Sequence, residues 1–583
     1  MRIDGFTRWE AAETWTAGRR SEPQPDAPTR VSVARTAKND RAFTHRDNRT
    51  VDAMLDATPV RWARREIVAA GALGGSIALF FALRLAAHGD ASAHLHRTLL
   101  VLKGDLLWDN MWFRGDYPLA GYSFLYYLPA ALVGNSVVAV CSTFVAVLLF
   151  ASLVLRQWGG TARWSAWLFA VLAVEPLLRT EYPFALGVTL LLAALFALQR
   201  RKVGLAGLCA ALCLATSPLA FAFLALAAAG VWLSHPTRTR TVVGFGAILA
   251  LLTIVFAVIS RRLETPWSGY PFPVSALAEI LAVSGAGILL TRLAGGPRLL
   301  GGLYGVWAAA GIVGWLVPNP IGLNFDRPAF LLTPLLIVPA ARLRGRVKVA
   351  ASLAIVALLP LGAPAFEPSV ARALAAPRDP SRLWAQAVAF LGPRVSPDYR
   401  VEVVPTASHW EAYYLPKAGI ELARGWYRQL DLAANAVLYH RTLSARRYRS
   451  WLDANSVQWV VVARTSGLDP AAGSAETKLL ASGRSGLRLV RETQSWAFYE
   501  VPRATPLLLP QGSGSVTAVT PQQIVGVVRS GGLYRLNVTY MPYWETRGGV
   551  VVQRARDGTT LLRIRRSGRF TLTAAPERIF GLG

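Results

Sequence analysis

Residues 66–97 read EIVAAGALGGSIALFFALRLAAHGDASAHLHR. From Glu66 to Ala87 the run is almost wholly apolar, close to the about 20 residues an α-helix needs to cross a hydrocarbon core. Polarity then changes at once, and His88, Asp90, His94, His96 and Arg97 follow in one short stretch. A span that opens directly into a charged loop is the mark of a polytopic membrane protein. The composition agrees, with 583 residues, 53% hydrophobic, 16% charged and a formal net charge of +28. So many apolar side chains exclude a wholly soluble protein, because they would face water, and a disordered one, because they would collapse.

Working outward, residues 1–60 are polar and Arg-rich and read as a disordered cytoplasmic tail, with Met54 as an alternative start. Residues 61–365 form a transmembrane domain with eleven candidate spans at 66–87, 135–155, 164–178, 183–199, 203–217, 219–234, 242–259, 274–291, 299–317, 328–341 and 349–365. With the N-terminus inside, the inner connections carry Arg61, Arg64, Arg65, Arg156, Arg163, Arg200, Arg201, Lys202, Arg238, Arg240, Arg292, Arg298, Arg342, Arg344, Arg346 and Lys348. Apart from Arg261-Arg262, which this scheme puts outside, that distribution satisfies the positive-inside rule and places the C-terminus outside. The expected location is the plasma membrane.

The acids sort the other way. Between residues 66 and 365, all of them except Glu66 fall in outer loops or the outer half of a span. Carboxylates at that depth usually mark function. The first outer loop, residues 88–134, is the densest. In a helix Asp90 and His94 stand at i,i+4 and Arg97 three further on, so the three share a face. The loop continues through Trp108, Asp109, Trp112, Arg114 and Asp116 and ends in an aromatic interfacial segment, Tyr122 to Pro129. A second outer loop holds Glu175, Arg179 and Glu181, and a third Asp326 and Arg327.

A first span, a long outer loop opening with an acid, and interfacial helices after it resemble the GT-C membrane glycosyltransferases. Gly89-Asp90, His94-Leu95, Arg97, Trp108 and Gly115-Asp116-Tyr117-Pro118 resemble bacterial lipoteichoic-acid-modifying glycosyltransferases and the membrane proteins termed 6-pyruvoyl-tetrahydropterin-synthase-related. The resemblance extends to Ser408–Tyr414 and Arg424–Asp431. It implies transfer of a hexosyl or pentosyl group from a polyprenyl-phosphate carrier at the outer face. Asp90 would be the catalytic base, while His94, Arg97, Tyr117, Glu175, Arg179, Glu181, Asp326 and Arg327 would bind the carrier phosphate and substrate. No paired-acid DxD motif is present, so a divalent metal ion is an open expectation rather than an implied one.

From residue 366 the apolar runs shorten. Residues 366–505 read as an exported α+β domain and 506–583 as a β-sandwich-like module with turn signals at Ser530-Gly531-Gly532, Asp557-Gly558 and Ser567-Gly568. His409, Trp410, Glu411, Trp426, Tyr427, Arg428 and Asp431 are candidates for an acceptor platform, since aromatic faces stack on sugars; domain packing is the competing account. Residues 366–583 hold 28 Lys and Arg against 15 Asp and Glu. A basic region beside a bilayer expects an anionic envelope glycan or lipid, and nothing resembles a nucleic-acid module. Two other classes fit the same composition. One is a non-catalytic assembly scaffold; the other is a lipid or glycan flippase, against which stands the lack of inverted repeats.

Overall fold

The computed structural model describes residues 61–118, 122–234, 240–263, 269–364, 366–375, 380–465 and 467–575. The expected tail, Met54 and Arg238 lie outside them. Among the described residues seven helical runs are long and apolar enough to cross a membrane: Arg61–Arg84, Asn135–Leu178, Tyr182–Gln199, Arg240–Arg262, Val274–Leu293, Arg298–Leu316 and Gly345–Gly362. Val203–Thr216 and Pro218–Ser234 are apolar but shorter. Many outward side chains are large and apolar, such as Leu83, Leu251 and Leu353. In Arg240–Arg262 only Phe245 and Leu249 are buried. Such a surface is stable against lipid and not against water.

The 328–341 segment departs from expectation. It is broken into Ala329–Leu332, a 3-10 turn at Thr333–Leu336, and Ile337–Ala340. Pro328, Pro334 and Pro339 recur through it. Each removes a backbone donor and crowds the preceding turn, so apolar length alone does not yield one continuous helix here.

Close packing in the bundle depends on small residues. Ala70, Gly71, Gly74 and Ala78 are buried in the Arg61–Arg84 helix. A Cβ on Gly71 or Gly74 would come 2.4 Å from Leu148 or 2.8 Å from Val147. Without them the two helix backbones could not approach as closely. The Asn135–Leu178 run reverses near Gly159, which takes φ +60°. Arg163 is thereby returned to the start of the first helix, where it pairs with Glu66 at 2.9 Å.

The C-terminal region has two parts. In the first, a sheet runs in the order β1-β2-β4-β3 (Arg400–Val403, Val457–Ala463, Trp496–Glu500, Arg488–Glu492), with β1 parallel to β2 and the other pairs antiparallel. Trp384, Phe390, Trp459 and Phe498 pack on one side; Tyr448, Leu452 and Leu480 pack on the other. The second part is a sandwich of two four-stranded sheets. One runs β10-β11-β8-β5 (Val550–Arg554, Thr559–Ile564, Gly532–Thr539, Leu508–Leu509) and the other β6-β7-β12-β9 (Gly514–Thr520, Gln523–Val528, Gly568–Ala574, Trp544–Arg547).

Residues 104–118 wedge between all three parts. Trp112 Nε1 donates to Ala412 O at 3.1 Å, and Leu422 N donates to Met111 O at 3.0 Å. On the sandwich side, Asn110 N donates to Pro521 O at 2.9 Å and Thr539 N to Arg114 O at 2.8 Å. Gly115 is required in this wedge: its φ is +103°, and a Cβ there would stand 2.3 Å from Trp108.

Burial pushes four acids of the C-terminal region upward: Asp398 to about 6, Glu421 to about 7, Glu476 to about 7, and Glu402 well above the usual carboxylate range. Such groups bind protons more tightly when folded, so their stabilisation is full below about pH 4 and is lost as pH rises through 6 to 7. His409, whose midpoint is also raised, acts in the same direction. The C-terminal region is therefore expected to melt at lower temperature at pH 8 than at pH 5.5, read by scanning calorimetry of the purified protein. A higher melting temperature at pH 8 would contradict this.

Candidate active site

Asp90 stands where the first long helix has ended and the Ala91–Lys103 helix begins. Gly89 before it takes φ +58° and lies against the turn that follows Glu175–Leu178. There the Thr180 hydroxyl donates to His88 O at 2.6 Å. The two loops are thus tied together, and the second one presents Arg179 and Glu181 beside the first.

Glu181 is the hub. Its Oε1 accepts from Arg179 Nε at 2.7 Å and from Arg327 Nη2 at 2.9 Å. Arg179 Nη1 also lies 3.7 Å from Glu175 and 3.9 Å from Asp326. Five residues from two distant segments therefore form one charged cluster. Arg327 Nε and Asp326 Oδ1, both buried, find no partner among the described residues. A donor and an acceptor are left over at the same place, which is what a polar ligand would use.

Asp90 lies within electrostatic range of Glu181 and Arg327 in this cluster. Burial is the first cause that lifts its carboxyl above the usual range, and Glu181 is the second; Arg327, the Trp426 N–H and His409 offset them only in part. The Trp426 indole Nε1 donates to Asp90 Oδ1 at 2.9 Å, although the two are 336 residues apart. His409 stacks on the Trp426 ring, and the Arg428 guanidinium lies 4.9 Å from its centroid. His409 Nδ1 is 3.2 Å from Glu411 and its Nε2 is 3.2 Å from Asp469, which also binds Arg428. Burial opposes a charge on His409, but the bonds to Asp469 and Glu411 outweigh it and its midpoint rises.

His94 and Arg97 serve the loop itself. His94 Nδ1 lies 3.1 Å from the Tyr127 hydroxyl among the rings of Tyr122, Tyr126, Tyr182 and Tyr427. Burial first, then Arg97, depress its imidazole to about 3, so it is neutral at physiological pH. Arg97 is fully buried, with Nη2 2.6 Å from Asp116, Nη1 3.5 Å from Asp109 and its guanidinium over Trp112. Tyr117 packs edge-on to Trp108. The shared face expected for Asp90, His94 and Arg97 is therefore divided among three different surroundings.

The expected acceptor platform lies mostly inside the protein. His409, Trp410, Glu411, Trp426, Tyr427 and Asp431 are all buried. Tyr427 stacks on Tyr122, and Asp431 binds Arg424 and Tyr439. A ring must be open to stack on a sugar, and these rings are covered by protein; Arg428 alone among the seven keeps a quarter of its side chain exposed, at 25%. Sequence reasoning passed over Asp469 and Arg372. No spacing marks the former, and the latter lies on the Phe366–Ala375 helix within electrostatic range of Asp90, Arg179 and Glu181. Among the described residues no group of three or more His, Cys, Asp or Glu side chains could hold a metal ion.

No protein-family model matches the chain, and no curated protein matches it. Among solved structures it is similar to the cryo-electron microscopy structure of arabinofuranosyltransferase AftD from Mycobacteria, at 14% identity and a TM-score of 0.45, over 89% of this chain and 57% of that one. A mutant form of AftD gives 14% identity and 0.45, over 89% of this chain and 60% of that one. The chain thus spans less than two thirds of the length of the structures it matches.

Proposed function

We propose that the protein is a multi-pass membrane glycosyltransferase of GT-C type. It transfers a sugar from a polyprenyl-phosphate carrier to a cell-envelope acceptor at the outer face of the plasma membrane. The observation that carries this reading is the Arg179–Glu181–Arg327 cluster, with Asp90 within electrostatic range of Glu181 and Arg327.

Asp90, when ionised, accepts the proton of the acceptor hydroxyl as that oxygen attacks the anomeric carbon. The bond from that carbon to the carrier phosphate breaks, and its electron pair leaves with the polyprenyl phosphate. Arg179 and Arg327 face the charge that develops, already oriented by Glu181 and Asp326. A cavity of about 310 Å³, lined by Val171, Leu172, Leu359, Pro360, Ala363 and Phe366, supports a place for the isoprenoid tail. Phe366 begins the helix that carries Arg372. The exported region would bear on the acceptor, and its excess of arginine suits an anionic glycan or lipid.

The test is mass spectrometry of envelope glycans and polyprenyl-phosphate sugars in a deletion strain. The lipid-linked donor is expected to accumulate and the glycan to lose its sugar. Complementation with the wild-type gene should restore both, and Asp90→Ala should restore neither; full rescue by Asp90→Ala would end the assignment. A base with a raised midpoint must be ionised to work, so transfer is expected to fall as pH drops through that midpoint.

A further inference from the structure

We propose that Trp426, held by His409 and Asp469, is the device by which the C-terminal region positions Asp90 and keeps it ionisable. This rests on the reading of Asp90 as the base.

Among the described residues of the same region, Trp410 and Trp459 bury their indole Nε1 without a partner, while Trp451 and Trp496 donate theirs to Asn435 Oδ1 and Leu383 O. Packing in this region thus leaves these four indole donors a neutral acceptor or none. Trp426 differs in aiming its donor at a carboxylate in the first outer loop. A hydrogen bond to the ionised form favours that form, whereas the neighbouring Glu181 disfavours it.

The ring that carries this donor is fixed from behind. His409 lies flat against it, and both imidazole nitrogens reach carboxylates, Glu411 and Asp469. Asp469 is itself anchored by the backbone N–H groups of Ala471 at 2.9 Å and Ala472 at 3.2 Å. His409 also adopts φ +52°, a conformation uncommon for a residue with a side chain. Such a conformation persists only where the surroundings over-determine it, and sites under functional constraint are where that is common. A cation against the π face withdraws electron density and makes the indole N–H a better donor. Arg428, held by the same Asp469, adds a second cation near the ring.

The groups facing Asp90 are Glu181, Arg327 and Arg372 from the bundle side, Tyr122, Tyr270 and Tyr427 around it, and His409 behind Trp426. Among the described residues, Trp426 is the group of the C-terminal region that hydrogen-bonds to the Asp90 carboxylate.

The experiment is infrared titration of the full-length protein in detergent, following a carboxyl C=O band assigned to Asp90 by its loss in Asp90→Asn. Trp426→Phe keeps a ring on His409 and removes the N–H; it is expected to raise the Asp90 midpoint by about one unit. His409→Asn keeps a residue tolerant of positive φ and removes the cation, and should raise the midpoint less. An unmoved midpoint in folded Trp426→Phe overturns the proposal. If that variant does not fold, an unmoved midpoint in His409→Asn overturns it equally. A raised midpoint together with normal envelope glycans in an Asp90→Asn strain keeps the device and removes the base reading. An unmoved midpoint with glycans lost in Asp90→Asn does the reverse.

Discussion

Arg179→Gln and Arg327→Gln are each expected to lower the transfer rate by about 10²–10³-fold, the usual loss when one donor to a developing negative charge is removed. The donor for the assay is the polyprenyl-phosphate sugar that accumulates in the deletion strain, and the readout is its turnover by purified protein. The size of the effect follows from preorganisation. Both guanidinium groups are held on one oxygen of Glu181 before any ligand arrives, so they need little reorientation as the phosphate leaves. Lysine at either place should rescue poorly, because a compact ammonium cannot hold Glu181 and a phosphate oxygen in the geometry a planar fork allows. Each substitution also leaves buried Glu181 with one cation fewer, which costs stability, so melting temperature must be followed alongside rate. A rate unchanged in folded Arg327→Gln would remove the cluster from the reaction and favour the scaffold reading.

The membrane character of this chain was legible from apolar run length and from where charge interrupts it. So was the position of Asp90 directly after the first long helix, at the start of the next one. What escaped was contact between distant segments. Nothing in the spacing of Asp90 and Trp426 announces a bond across 336 residues. The clusters around His409 and Trp426 are rich in rings and charges, and that composition is the same for an open sugar platform and for a buried ionic network. Only burial separates them, and burial is a property of the fold. The 328–341 segment teaches the converse. Its prolines were in plain view, but counting apolar residues without asking where the backbone donors go makes a broken segment look like a span.

Arg97→Leu is expected to destabilise the protein by about 3–5 kcal/mol, the cost of removing one partner from a buried ionic group. Thermal unfolding of the full-length protein in detergent is the measurement. Arg97 spans Asp109 and Asp116, Asp109 is shared with His96 at 2.8 Å, and Trp112 covers the guanidinium. Removing the arginine leaves Asp116 without the cation it is bonded to, inside the wedge on which bundle, sheet and sandwich all rest. Arg97→Lys should recover little, because one ammonium cannot reach both carboxylates as the guanidinium does. The informative variant is the double one, Arg97→Met with Asp116→Leu, which removes the stranded charge together with its partner. Asp109 keeps His96 and the Met111 N–H in that variant. A paired ion replaced by apolar groups is often close to neutral in stability, so the double variant should melt well above Arg97→Leu. It also separates two roles the sequence left together. If Arg97 only holds the wedge, the refolded double variant transfers sugar near the wild-type rate; if Arg97 binds the carrier phosphate, the variant folds and fails to transfer.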